Sequence, residues 1–103
     1  MGGPGYTLIF APITKEHLRR IERKYHAFIQ RTIHERLKFE PGAENRNRKP
    51  LRQPAAFGAE WEIRFGGFRA LYKIEDDARV VRVLAIGKKD RDQLVVGDEE
   101  IEL

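Results

Sequence analysis

Two arginines that a tight turn sets face to face are the first chemistry this sequence offers. Trp61, Ile63 and Phe65 alternate with Glu62 and Arg64, Gly66-Gly67 follows, and Phe68, Ala70, Tyr72 and Ile74 then alternate with Arg69, Leu71 and Lys73. Two alternating runs joined by Gly-Gly predict a β-hairpin with a two-residue turn. That turn pairs Phe65 with Phe68, Arg64 with Arg69 and Glu62 with Leu71. The apolar set must then be the core face, and the other face carries Arg64 directly across from Arg69. Like charges opposite one another cost a few tenths of a kcal/mol to ~1 kcal/mol, unless an anion lies between them. Two guanidiniums grip a phosphate through parallel hydrogen bonds, in a geometry that ammonium groups do not reproduce. Lys73 continues the same face, while Lys88 and Lys89 leave the end of the next apolar run. The alternative is that Glu62 and the acidic end of the chain neutralise both arginines.

A second cationic group, Arg46, Arg48, Lys49 and Arg52, lies in a loop rich in Pro and Asn with Glu44 as its nearest acid. Such a loop can follow a phosphate backbone or an acidic peptide. Other chemistries are poorly supplied. Cys and Ser are both absent, so disulfides, Cys-based zinc sites, thiol nucleophiles and a serine triad are excluded. His17, His26 and His34 do not form an i, i+4 metal pair, and Lys38 stands where a zinc-protease helix motif beginning at His34-Glu35 needs its second His. All three read as surface or boundary histidines. Phe65, Phe68 and Tyr72 have the residue types of a base-stacking platform, but their side of the hairpin makes them core.

These residues must be positioned by a single domain, residues 1–103, because 103 residues supply one core. A hydrophobic fraction of 41% with ten aromatic residues is too apolar for a disordered chain. No apolar run is long enough to span a membrane, and the opening Met1-Gly2-Gly3-Pro4-Gly5 lacks the cationic and apolar regions of a signal peptide, so a cytoplasmic domain is expected. The net charge of +4 conceals an asymmetry: residues 14–52 carry twelve bases against five acids, whereas residues 92–103 carry five acids and no base. A basic body attracts polyanions, and the acidic end can cover it in cis or serve solubility.

Residues 6–11 read as a short buried strand ended by Pro12. Leu18, Ile21, Tyr25, Phe28, Ile29, Ile33 and Leu37, in a stretch from Ile13 to Phe39 without Gly or Pro, predict one long amphipathic helix that follows Thr14 as its N-cap. A turn at 23–26 would lack the usual punctuation. Residues 41–58 read as a polar loop, long enough to suggest function. Residues 80–86 form a nearly continuous apolar run, which predicts a central strand covered on both faces after a turn at 75–79. Residues 94–96 and 101–103 predict a last hairpin around Gly97-Asp98. A strand, then a helix or helical hairpin, then three or more strands describe an α+β sandwich with helices on one sheet face.

At W-E-I-R-F-G-G-F-R-A-L-Y-K-I (61–74), V-V-R-V-L-A-I-G-K-K (80–89) and R-N-R-K-P-L-R (46–52), the sequence resembles the RelE/ParE superfamily of bacterial type II toxin–antitoxin toxins. The resemblance runs from residue 6 to about residue 96. It implies a small twisted, mostly antiparallel β-sheet packed by an N-terminal helical hairpin, which would divide the long helix in two. It also implies a toxin acting as a ribosome-dependent mRNA endoribonuclease, with mRNA and the ribosome as partners, a cognate antitoxin, and no cofactor, metal or membrane. Carried over position by position, the transition-state arginine falls on Arg69, a basic residue one strand back on Arg64, and the cation after the strand glycine on Lys89. Arg46, Arg48, Lys49, Arg52, Lys73, Lys88 and Arg91 would contact RNA. Two positions depart from the pattern: Glu62 stands where one branch has a basic lysine, and Val95 where that branch has a catalytic tyrosine. Glu62 can itself accept a proton. The ParE-like branch keeps the fold without the nuclease set and inhibits DNA gyrase, and these departures leave that alternative open.

Overall fold

A computed structural model describes residues 5–102. Residues 1–4, which hold most of the opening Gly/Pro run, and Leu103 lie outside the described residues. The chain forms β1 (Thr7–Phe10), α1 (Ile13–Arg19), a 3₁₀ turn (Arg23–Tyr25), α2 (His26–Leu37), β2 (Arg48–Pro50), a second 3₁₀ turn (Ala56–Gly58), β3 (Trp61–Phe65), β4 (Phe68–Glu75), β5 (Val80–Asp90), β6 (Gln93–Val96) and β7 (Glu99–Ile101). The sheet order is β2-β3-β4-β5-β6-β7, antiparallel throughout, with β1 added parallel to β5. This is an α+β fold, a mostly antiparallel sheet packed by an N-terminal helical hairpin.

The hairpin register is the one that the alternation requires: Phe65 faces Phe68, Arg64 faces Arg69 and Glu62 faces Leu71. Gly66 and Gly67 both take positive φ, +52° and +82°, which a two-residue turn compatible with strand twist demands. Ile63, Phe65, Phe68, Ala70 and Tyr72 are buried in one cluster with Leu18 and Ile21, with Ile29, Ile33 and Leu37 of α2, and with Val81, Val83 and Ile86 of β5. Aromatic residues 65, 68 and 72 are therefore core. The Tyr72 hydroxyl donates to the Pro41 carbonyl at 2.7 Å, fixing the end of the helical segment to the sheet.

Several local expectations are corrected. The long helix is broken at residues 20–25, where Glu22 turns extended (ψ 134°). The break puts Ile21 in the core at 6% exposure, and His26 Nε2 lies 2.8 Å from the Ile21 carbonyl that the missing helical turn leaves without a partner. Thr14 lies inside α1 instead of capping it, and its hydroxyl donates to the Ala11 carbonyl at 2.7 Å. β1 is half-buried, with Thr7 and Ile9 exposed. The polar loop contains an edge strand, since β2 pairs Arg48 with Ile63, Lys49 with Glu62 and Pro50 with Trp61. Pro50 is tolerated there because an edge strand has one side without a partner.

β5 runs four residues past the expected end and is central. Along one edge it pairs with β4; along the other it pairs first with β1 at residues 80–83 and then with β6 at residues 87–90. His17 of α1 faces the interval between those two partners. It is buried at 5% exposure, and its Nδ1 accepts the Ile86 N–H at 3.2 Å, which corrects its reading as a surface or boundary histidine. The last hairpin turns at Gly97-Asp98 as expected, but pairs residues 94–96 with residues 99–101. It supplies a second, smaller cluster on the helix-free side: Ala59, Leu71, Ala85, Leu94 and Val96, with Leu51, Leu84 and Ile101 packed against it. Among the described residues, no helix is long and apolar enough to cross a membrane.

Candidate functional site

The helix-free face collects charge because strand alternation leaves it no other place. Lys49 on β2 is registered against Glu62 on β3, Arg64 on β3 against Arg69 on β4, and Arg69 against Gly87 on β5. Lys89, two residues beyond Gly87, returns to the same face. These five side chains line an open cleft of about 410 Å³. Asp92, Gln93, Leu94, Ile101 and Glu102 from the β6–β7 region form its opposite wall.

Glu62 is the centre of the arrangement. It is 2% exposed, with Arg64 Nε 3.2 Å from Oε1, Arg69 Nε 3.4 Å from Oε2 and Lys49 Nζ 3.9 Å from Oε1. The two arginines that face each other across the hairpin therefore close on opposite oxygens of one carboxylate. This is how the sheet tolerates the like-charge pair. Glu62 takes the Nε side of each guanidinium, accepting a hydrogen bond from Arg64 and pairing with Arg69, and so does not occupy their terminal amino groups. Arg69 Nη1 donates to its neighbour's carbonyl, Phe68 O, at 3.3 Å. The Arg69 side chain is only 13% exposed. Burial pulls its guanidinium below the ordinary value, Glu62 opposes that shift, and Arg64 adds to it.

The remaining basic candidates divide. Lys49 joins the cleft. Arg48 does not: registered against the core residue Ile63, it turns to the other face, where Nη1 donates to the Glu40 and Ala43 carbonyls. Arg46 and Arg52 are exposed on the loop and do not line the cleft. Lys73 shares the cleft's face but is separated from it by Leu71, and it acts on Glu75, which also pairs with Arg82 at 2.7 Å. Lys88 alternates to the helix side, opposite Phe68, and Arg91 occupies the β5–β6 turn with φ +58°. Val95 pairs with Lys88 and Glu100, whereas its neighbour Leu94 lines the cleft. A side chain at position 95 therefore points away from the cleft and shares the Lys88 side of the sheet. No His or Tyr lines the cleft among the described residues. The alternative that Glu62 and the acidic end of the chain neutralise the arginines is thus met in part: Glu62 pairs with both, and Asp92 and Glu102 of the acidic end stand in the opposite wall, where the last hairpin returns them.

The sequence matches the model for the ParE toxin of type II toxin–antitoxin systems, parDE, over residues 8–93. Among solved structures, it is similar to a chain of the RelBE2 toxin–antitoxin complex from Mycobacterium tuberculosis, with a TM-score of 0.69 and 26% sequence identity over 84% of this chain and 100% of that one. No curated protein matches it at a significant level. The family match spans both helices, the cationic hairpin and the sheet through β5: this chain belongs to the ParE toxin family of type II toxin–antitoxin systems.

Proposed function

We propose that this toxin is an endoribonuclease that cleaves mRNA on the ribosome and so stops translation in the cytoplasm. One observation carries the reading: two guanidiniums, two ammonium groups and a buried carboxylate share one cleft on paired strands, with Arg64 and Arg69 both oriented by Glu62. Rigid strands hold these groups before substrate arrives, which is what stabilisation of developing charge requires. A ribose 2′-OH attacks the adjacent phosphorus. Once Arg64 has turned from Glu62 to the entering phosphate, the hydroxyl proton passes to the Glu62 carboxylate oxygen that Arg64 frees, the bond from phosphorus to the 5′-oxygen breaks, and Lys89 protonates that 5′-oxygen as it leaves. The products are a cyclic phosphate and a free 5′-hydroxyl. Arg69 and Arg64 bear the charge that accumulates on the non-bridging oxygens. Lys49 joins them at the cleft, and Arg46, Arg52, Lys73 and Arg91 offer flanking phosphate contacts.

A cognate antitoxin is the expected protein partner. The similar solved chain comes from a toxin–antitoxin complex, and an acidic segment laid over this cleft would block RNA entry. A second reading, inhibition of DNA gyrase without RNA cleavage, is favoured by the ParE family match and by a cleft lacking His and Tyr. Both are tested in one culture. The toxin is induced without antitoxin, mRNA 5′ ends are mapped by primer extension, and plasmid topology is read in parallel. New in-frame 5′ ends that vanish in Arg69→Ala support the nuclease. Intact mRNA with accumulated gyrase-cleaved DNA moves the protein to the second reading, and an Arg69→Ala variant that remains fully toxic removes Arg69 from the mechanism.

A further inference from the structure

The cleft does not end at Lys89. Lys89 also lines a depression of about 300 Å³ at the hairpin tip, together with Arg20, Glu22, Tyr25, Gly67 and Lys88. Arg20 and Glu22 in turn line a third depression that reaches Arg23 and His26. Strand alternation explains the continuity: Lys88 and Lys89 point to opposite faces of β5, so the pair straddles the end of the sheet. The break between α1 and α2 supplies the far wall, and it exposes an aromatic ring there. Tyr25 is 37% exposed, its ring centroid is 5.4 Å from that of Phe68, and the Lys24 ammonium lies 5.2 Å from its ring. The acids nearby are already engaged, Glu22 with Lys24 at 3.7 Å and Asp98 with Arg20 at 3.5 Å.

We infer that this groove is a second subsite for single-stranded RNA, taking the strand as it leaves the cleft over the Gly66-Gly67 turn. Tyr25 stacks on a base, Lys88 takes a phosphate, and Arg20, whose exposed pair with Asp98 is weak, exchanges that carboxylate for a second phosphate. A cationic track with an interleaved exposed aromatic is how proteins hold single strands without reading sequence. Gly67 allows the backbone of the strand to pass closely, since a Cβ there would meet nothing within 4 Å. The inference rests on the ribonuclease reading of the cleft and extends it.

The test is fluorescence anisotropy on the full chain with 2′-O-methyl oligouridylates of two and six nucleotides, which lack the attacking hydroxyl and are not cleaved. The hexamer should bind more tightly than the dimer. Tyr25→Ala should reduce that length-dependent gain by about five- to a hundredfold, and Tyr25→Phe, which keeps the ring, should restore it. Lys88→Ala, at an exposed position, should reduce the gain and lower the slope of log affinity against log salt for the hexamer by about 0.7. If the gain survives both changes while Arg69→Ala weakens both oligonucleotides, the groove is overturned and the cleft reading stands. If neither oligonucleotide binds the unaltered protein, the groove is overturned, while the cleft reading stands or falls on the mRNA 5′ ends mapped in culture. Groove variants that leave RNA binding intact but weaken an acidic peptide would reassign the surface to a protein partner.

Discussion

Glu62→Gln keeps the shape of the side chain and removes the charge that holds the cleft together, so its cost can be worked from the contacts. Arg69 Nε at 3.4 Å interacts with the carboxylate by about 5 kcal/mol at an effective dielectric of ~20. Arg64 and Lys49 have side chains 40% and 49% exposed, so screening limits them to a few tenths of a kcal/mol to ~1 kcal/mol each. Against these stands the desolvation of a carboxylate that is 2% exposed, a penalty of several kcal/mol that the substitution removes. What then remains uncompensated is Arg69, little exposed and with Arg64 directly opposite. The expected net loss is about 2–3 kcal/mol, below the 3–5 kcal/mol typical of a fully buried broken pair, because glutamine still offers an acceptor. In a domain of this size that is roughly 10–20 °C in Tm. Urea denaturation of the single variants and of the Glu62→Gln/Arg69→Met double variant measures the coupling directly. In the Arg69→Met background the cost should shrink or change sign. A loss under about 0.5 kcal/mol, or one that is equal with and without Arg69, would refute Glu62 as the group that reconciles the two arginines.

Two further changes test how the sheet is assembled around the site. His17→Ala strands the Ile86 N–H and should cost about 1–3 kcal/mol. Burial lowers the His17 imidazole from its ordinary value, so as pH falls the unfolded chain takes up the proton first. The stabilisation is complete above pH ~6.5 and is lost as pH falls through the lower folded value. Urea midpoints whose difference between the two proteins is unchanged from pH 8 to pH 5 would sink this account. Gly87→Ala places a Cβ against the Val95 carbonyl oxygen, 2.9 Å from Val96 Cγ2 and 3.0 Å from Leu94 Cδ1. Overpacking against backbone should cost about 2–3 kcal/mol and displace β6, and a variant with an unchanged urea midpoint would show that β6 yields freely.

The Gly-Gly hairpin was legible to the residue because period-two alternation and a two-residue turn fix register together. That one inference gave the core face, the facing arginines and the place of Glu62. The helix break was not legible from the spacing. Ile21 continues the apolar stripe in helical register, and no Gly, Pro or cap marks Glu22; the compensating signal is His26, whose ring meets the freed carbonyl, and it cannot be recognised before the break is known. His17 illustrates the same limit. A histidine on an apolar helix face looks like a boundary residue until β5 is seen to change partners opposite it. The wall of the cleft was legible only as a charge: the acidic end was a candidate cover for the arginines, but which of its acids reach the cleft depends on how the last two strands pair.

The basic composition, which first suggested a polyanion partner, is not what the cleft is made of. Many of the helical cations are spent locally, Arg19 on Glu16, Lys24 on Glu22 and Arg31 on Glu35, in exposed pairs that salt screens. In the cleft, four cations face three carboxylates, Glu62, Asp92 and Glu102, so the net field there is weak. Affinity for a phosphodiester must therefore come from placement. Glu62 supplies it, because a carboxylate bound at Nε orients each guanidinium without consuming its terminal amino groups. Of the two arginines, Arg69 is the fixed one, walled in and tied to the Phe68 carbonyl, while the more exposed Arg64 can turn. An anion that enters must approach Arg69 along its open edge and draw Arg64 after it, which orients a tetrahedral phosphate and gives a diffuse anion little advantage.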